Sequence, residues 1–239
     1  MTKVTPYNSK EGKKKQVTKM FDNIAGSYDF LNHTLSLGMD NIWRKIAIKE
    51  LSNKPATILD IATGTADFAI IASKHTKANI TGIDISQGML DIGVEKITKK
   101  GLTNRIQLQL ADSEKLPFED NSYDAITAGF GVRNFEDLNK GLSEMYRTLK
   151  PGGKVAILEP SEPTNFPLKQ FYNLYFHHIL PFIGGIISKD KNAYTYLPDS
   201  VSAFPSGKDF LTELDKVGFK ESKHIPLTFG IVSLYIAIK

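Results

Sequence analysis

The ten residues from Ile58 to Asp67, Ile-Leu-Asp-Ile-Ala-Thr-Gly-Thr-Ala-Asp, constrain this chain most. Ile58 to Ala62 is a short apolar run broken only by Asp60, the pattern of a central parallel strand buried on both faces. Thr63-Gly64-Thr65 then permits a sharp turn. A helix starting near Asp67 leaves backbone N–H groups facing the crevice at the strand's carboxyl end. Open α/β sheets bind ligands there, so the stretch predicts a nucleotide-like cofactor.

Strands and helices alternate downstream. A second strand, Asn79 to Ile83, ends at Asp84; a third, Ile106 to Leu110, runs into Ala111-Asp112-Ser113. A fourth spans Tyr123 to Ala128 and a fifth Lys154 to Leu158, after a Lys150-Pro151-Gly152-Gly153 turn that cannot stay helical. Helices are expected at about 67–75, 87–100, 136–149 and 207–217, with Met89, Leu90, Val94 and Ile97 on the inward face of the second. Lys220 to Phe229 and Ile231 to Ile238 are β-rich and joined at Gly230, which reads as a terminal hairpin. The expected fold is α/β: a Rossmann-like, seven-stranded, mostly parallel doubly wound sheet with an antiparallel terminal strand.

Upstream, Val17, Met20, Phe21 and Ile24 fall at helical spacing, whereas Ala25 to Gly38 shows little periodicity. Asp40 is placed to cap a helix from Asn41 to Leu51 that buries Ile42, Trp43, Ile46 and Ala47. Residues 160–205 are too long for a simple crossover and read as a lid. The expected organisation is a basic flexible tail over 1–16 and a single domain over 17–239. That domain carries an N-terminal helical lid (17–50) and an inserted lid (160–205).

Composition narrows the chemistry. With 239 residues, 41% of them hydrophobic, the chain can build one sizeable core. It has no cysteine, which excludes disulfides, thiolate metal sites and cysteine nucleophiles. Net charge is +4, yet residues 1–20 hold six lysines and one acid, +5, which leaves −1 for the remainder. Basicity confined to a terminus reads as a solvated tail rather than a nucleic-acid surface. The N-terminus lacks the apolar core of a secretory signal. The most apolar window, Phe171 to Ile187, is broken by His177-His178, Pro181 and Gly184-Gly185 and falls short of the ~20 residues that span a bilayer. A cytoplasmic protein is expected, with peripheral contact at the inner face of a membrane left open.

The first turn discriminates between cofactors. A dinucleotide fold wants Gly-x-Gly-x-x-Gly, but Ala62 to Asp67 supplies only the middle glycine, and no Gly-Lys-Ser/Thr follows for a P-loop. Three carboxylates stand at or near successive strand ends. Asp84 lies where a ribose-binding acid is expected, Asp112 beside Ser113 is placed for an adenine amino group, and Asp60 for a cationic methionine-like tail. One such Asp alone more often caps a helix or forms a turn. Three of them with the Gly64 turn oppose a phosphate and suit a sulfonium, which points to S-adenosylmethionine.

These residues resemble the class I S-adenosylmethionine-dependent methyltransferases, and Leu149-Lys150-Pro151-Gly152-Gly153 strengthens the likeness. More narrowly, the chain resembles the quinone-biosynthesis C-methyltransferases, which act on demethylmenaquinol and on the 2-methoxy-polyprenyl-benzoquinol precursor of ubiquinone. Four stretches carry it: Tyr28-Asp29-Phe30-Leu31-Asn32 with Ser36, Gly38 and Trp43-Arg44; Gly129 to Asn134; Arg147 to Gly153 leading to Leu158-Glu159-Pro160; and Tyr194 to Ser200. Met39-Asp40 and Pro160 depart from the family's usual His-Arg and Leu-Glu-Phe-Ser.

The resemblance implies cofactor contacts at Thr65, Asp84, Asp112, Ser113 and Gly129, joined by Asp60 and Gly64 of the turn. It implies C-methylation of a polyprenylated quinol, demethylmenaquinol to menaquinol first, and no metal. A ring carbon becomes nucleophilic only when a ring hydroxyl loses its proton. Arg133, Asn134, Asp29 and Tyr196 are the catalytic candidates, and Tyr28, Asn32, His33 and Tyr194 the substrate candidates. The alternatives are the benzoquinol acceptor, another small lipid, and an RNA-binding protein that uses the lysine tail. Self-association is left open.

Overall fold

β1 (Thr57–Ile61) is the hub of a seven-stranded sheet. It pairs in parallel with β2 (Asn79–Asp84) on one side and with β4 (Tyr123–Gly129) on the other. β3 (Ile106–Leu110) extends the first side and β5 (Leu149–Pro160) the second. β7 (Val232–Ile238) runs antiparallel beside β5, and β6 (Lys220–Leu227) closes that edge. The order is therefore β3-β2-β1-β4-β5-β7-β6. Strand order reverses between the parallel neighbours β1 and β4, which opens a crevice at their carboxyl ends. The structure is a computed structural model and describes residues 4–7, 9–51, 54–163, 165–174 and 191–239.

Period-two alternation divides the core between the two faces. Ile58, Ala156 and Leu158 pack on one side with Trp43, Ala47, Phe68 and Ile97. These last come from α2 (Met39–Glu50), α3 (Asp67–His75) and α4 (Gln87–Lys99). Leu59, Ile61, Ile126 and Ile157 face the other side, against α5 (Leu138–Thr148) and the helix Lys208–Val217. Each aliphatic side chain so buried contributes about 1.5–3 kcal/mol relative to leaving it exposed, so both faces of the sheet must stay covered by helices. Ser86 and Asp137 cap α4 and α5 through Met89 N and Lys140 N.

Four local expectations are corrected. Lys13–Leu35 is one helix, α1, which runs through the stretch with little periodicity and begins at Lys13 rather than Val17. Its two halves face different neighbours, so no single apolar stripe marks it. Asp40 does not cap α2: Gly38, at φ 74°, holds that position, and the buried Asp40 carboxylate lies in the first turn against Arg44 and Ser36. Ile42 and Val94 point outward, 54% and 47% exposed. In α4 the buried stripe runs through Gly93, where an added Cβ would meet Leu108 at 2.8 Å; apolarity alone does not reveal a face set by a glycine. Lys150 to Gly153 do not leave the sheet but form a bulge inside β5, where Leu149 to Lys154 matches only Tyr123 to Ala125.

Between β5 and Lys208–Val217 lie two described helices, α6 (Leu168–Leu174) and α7 (Lys191–Ala203), so that Lys208–Val217 is α8. Most of the apolar window, with His177 and His178, falls on residues 175–190, outside the described residues. Ala193 and Tyr196 of α7 join Val17, Met20, Ile24 and Ala25 of α1 and Met89 of α4 in a third apolar cluster. Both segments read as lids thus meet at the start of α4. Among the described residues, no helix is long and apolar enough to cross a membrane.

Candidate active site

A cavity opens at the carboxyl ends of β1, β2 and β4. Its floor is the turn after β1. Ala62, Gly64 and Ala66 all take positive φ, and Thr63 N donates to Ile83 O at 2.9 Å. At Gly64, φ 54°, an added side chain would meet nothing within 4 Å and would project into open space beside the cavity. Gly131 sits so close above the turn that a Cβ there would lie 2.5 Å from the Ala62 Cβ.

Asp84, at the end of β2, fixes this floor. Oδ2 accepts from Gly64 N and Oδ1 from Ser86 N, both at 2.9 Å. Burial pushes its carboxyl pKa up, and these backbone donors oppose the shift. The result is a rigid acceptor pair on the cavity wall, suited to vicinal hydroxyls. Asp112 and Ser113 line the same wall beyond β3. Asp112 Oδ1 accepts from Glu114 N at 2.9 Å, and Oδ2 binds Lys14 Nζ at 2.7 Å. Gly129, Phe130 and Asn134 close the side after β4, while Val17, Phe21 and Tyr28 of α1 cover the top.

Two cofactor candidates face elsewhere. Both oxygens of Asp60 are taken by the hydroxyls of Thr63 and Thr127, at 2.6 and 2.7 Å. Burial pushes its pKa up to about 6, with those bonds opposing, and its carboxylate braces the turn from below. Thr65 Oγ1 donates to Asp29 Oδ1 at 2.5 Å and accepts from Lys96 Nζ at 3.0 Å. Lys96 also pairs with Asp29 and Asp67, and His33 lies between Asp40 (3.0 Å) and Asp67 (3.4 Å). Asp29 and His33 therefore tie α1 to α2, α3 and α4 rather than line the cavity. The donor atoms of His33, Asp40 and Asp67 come within 4.8 Å of one another, but Arg44 and Lys96 already pair with the two carboxylates.

Tyr28 lines the cavity and is hydrogen-bonded by Asn32; burial raises its phenol pKa and that bond opposes. Arg133 does not line the cavity. Its guanidinium bonds Phe130 O, Glu159 Oε2 at 2.9 Å and Ser200 Oγ at 3.3 Å, which makes it a brace between the loop after β4, β5 and α7. Asn134 is different. Tyr196 Oη donates to its Oδ1 at 3.0 Å, while its Nδ2 is buried and, among the described residues, has no partner. The side chain of Tyr194 lies outside the described residues.

Sequence reading missed Lys14 and Glu114. Glu114 follows Asp112 by two residues, an acid spacing that marks a second carboxylate on the same loop. Lys14 carries no such signal, because nothing in a lysine-rich terminus says which lysine turns inward.

The residues present fit adenosylmethionine. Asp84 offers acceptors to ribose hydroxyls, Asp112 one to an amino group, and the open face of Gly64 leaves room beside them. A wall of carboxylates opposes a pyrophosphate. The strand order, with its antiparallel seventh strand, is that of the class I methyltransferases. The Haemonchus contortus phosphoethanolamine N-methyltransferase 2, solved with phosphomonomethylethanolamine and S-adenosylhomocysteine, shares this fold at TM-score 0.66. It is 17% identical over 95% of this chain and 59% of that one.

Sequence comparison is more specific. The chain belongs to the ubiE/COQ5 methyltransferase family, whose model matches residues 8–239. It is 49% identical over 239 residues to a demethylmenaquinone methyltransferase of Bacteroides fragilis, covering 99% of this chain and 98% of that protein. It is 47% identical over 230 residues to a ubiquinone/menaquinone biosynthesis C-methyltransferase of Geotalea daltonii, covering 95% and 97%.

Proposed function

We propose that this enzyme methylates a ring carbon of demethylmenaquinol, with S-adenosylmethionine as methyl donor. The 49% identity over almost the whole chain to the Bacteroides fragilis demethylmenaquinone methyltransferase carries the reading. The cavity supports it: acceptors for an adenosine on one wall, a single buried amide donor on the other, and apolar walls between.

The bound donor supplies an electrophilic methyl group on sulfur. The chain's own residues do the rest by placement. Asp84 and Asp112 hold the adenosine and so fix where the methyl group points. Asn134 Nδ2, without a partner among the described residues, is the donor for a quinol oxygen. It stabilises the charge left there when the ring hydroxyl loses its proton to solvent. Attack of the ring carbon on the methyl group then draws that charge off, with the ring C–H proton lost afterwards. Tyr196 sets the amide's direction by donating to Oδ1; burial pushes its phenol pKa up to about 12, so it remains a donor at neutral pH. Val17, Phe21, Met89 and Phe135 exclude water, and a low local dielectric favours a step in which charge is neutralised. In-line placement of carbon and methyl within ~3–3.5 Å completes the requirement.

An acceptor with a polyprenyl tail resides in a membrane, so peripheral contact belongs to this reading. Exposed Leu37 and Ile42 at the α1–α2 corner and Phe229 after β6 are apolar side chains available for it. The RNA reading is disfavoured, because Lys13 and Lys14 are committed to the crevice loops. Incubation with methyl-labelled adenosylmethionine and reduced demethylmenaquinone tests the proposal, with the benzoquinol precursor in parallel. Label in the naphthoquinone is expected; label only in the benzoquinone would refute the acceptor.

A further inference from the structure

Lys14 stands where the cofactor's adenine edge is expected. Its Nζ lies 2.7 Å from Asp112 Oδ2 and 3.0 Å from Glu114 Oε2, and it lines the cavity. Asp112 Oδ1 is already held by Glu114 N, so Oδ2 is the oxygen that remains for an incoming donor. Lys14 takes that oxygen. An adenine 6-amino group is also a donor, and a cationic donor and a neutral one then seek one acceptor.

The surroundings restrict movement to the lysine side chain. Next to it, Lys13 Nζ donates to Arg133 O and Phe135 O at 2.9 and 3.0 Å, beyond β4. Two turns further along α1, Asp22 Oδ1 accepts from Ser86 Oγ at 2.5 Å and from Gly88 N at 3.1 Å, at the start of α4. The helix is thus pinned on both sides of the crevice. Glu114 is in turn fixed, since its Oε1 accepts from Glu136 N at 2.7 Å and Asp137 N at 3.2 Å. Lys14 therefore has a second, permanent seat on Glu114 and can leave Asp112 without losing every partner. Burial opposes its charge, but the bonds to Asp112 and Glu114 outweigh that and raise its pKa, so it is an ammonium at neutral pH.

We propose that the Lys14 ammonium is a tethered competitor of the cofactor's adenine amino group for Asp112, a latch that α1 sets on Asp112 and that cofactor binding displaces onto Glu114. The proposal rests on the cofactor reading above. It makes Lys14 a determinant of cofactor affinity and of which purine edge the site accepts. A 6-oxo purine presents an acceptor and would recruit Lys14 instead of displacing it.

Calorimetry on the full chain tests this without turnover. The ligands are S-adenosylhomocysteine and S-inosylhomocysteine, and the proteins are the wild type, Lys14→Met, Lys14→Gln and, as a control, Lys15→Met. Lys15 pairs with exposed Glu11 away from the crevice. Lys14→Met is expected to bind the adenosyl ligand about fivefold more tightly, the scale of one partly exposed charge-assisted bond, and the inosyl ligand more weakly. Lys14→Gln, which keeps a neutral donor for Glu114, is expected to shift both in the same directions by less. Unchanged or weaker adenosyl binding in both Lys14 variants would overturn the proposal alone. Absence of adenosylhomocysteine binding in every protein, wild type included, would overturn the cofactor reading and the proposal with it. Thermal unfolding of each variant confirms that folded proteins are compared.

Discussion

The Tyr196 hydroxyl donates to Asn134 Oδ1 at 3.0 Å and thereby turns the buried Asn134 amide nitrogen away from it. Burial pushes the Tyr196 phenol pKa up to about 12, so it keeps its proton at neutral pH and holds the amide by donating to Oδ1. An unsatisfied buried donor costs about 1–3 kcal/mol, a cost that the proposed quinol oxygen would relieve.

That pairing separates two variants in kinetics. Asn134→Ala removes the donor, and kcat is expected to fall by about 10²–10³ on demethylmenaquinol, as when one oxyanion donor is lost. Tyr196→Phe leaves the amide free to flip and is expected to cost about tenfold, roughly one neutral hydrogen bond. Adenosylhomocysteine affinity, measured by calorimetry, should stay unchanged in both. Equal turnover of Asn134→Ala and wild type would remove the amide from the mechanism.

Arg133 should act through stability. Its partner Glu159 has a side chain only 1% exposed; burial raises that carboxyl's pKa and the guanidinium opposes it. Arg133→Met leaves a buried carboxylate unpaired, for an expected loss of about 3–5 kcal/mol in urea unfolding. The double variant Arg133→Met/Glu159→Gln should recover a large part of that loss. A single variant as stable as wild type would show that the pair does not brace the loop.

Asp84→Asn is expected to damage cofactor binding and the turn together. The carboxylate accepts from Gly64 N and Ser86 N, whereas an amide would set an NH₂ against one of them. About 1–3 kcal/mol of stability should be lost for the unpaired backbone donor. Adenosylhomocysteine affinity should drop by about tenfold or more, read by calorimetry at saturating protein.

Asp60 gives a pH signature. Its folded pKa of about 6 lies above the ordinary carboxylate value of 3.8, so the native state holds the extra proton between those values. Stability linked to that proton is present at low pH and lost as pH rises through 6. Relative to Asp60→Asn, wild-type unfolding free energy should therefore fall by about 2–3 kcal/mol between pH 4 and pH 7. A pH-independent difference between the two proteins would place the Asp60 pKa near that of the unfolded chain.

Much of the scaffold was legible because it is written locally. The strand around Asp60, the strand ends at Asp84 and Asp112, and the terminal hairpin at Gly230 follow from period-two runs and turn residues. The structure confirms the seven-stranded sheet they imply. Faces were harder. Val94 was misplaced because Gly93, not an apolar side chain, sets the packed stripe of α4. The residues around Asp40 suit a cap, yet Arg44 one turn along holds its carboxylate.

By itself, then, the sequence determined the sheet and the positions of the acids at its carboxyl edge, since apolar periodicity and glycine placement act over a few residues. Tertiary structure decided what each acid faces: Asp60 turns to Thr63 and Thr127, Thr65 to Asp29, and Asp84 to the open side of Gly64. It alone brings Lys14 to Asp112 across 98 residues and Tyr196 to Asn134 across 62. Charged and amide side chains have no period, so their partners are settled only when packing brings distant segments together and burial makes an unpaired polar group costly.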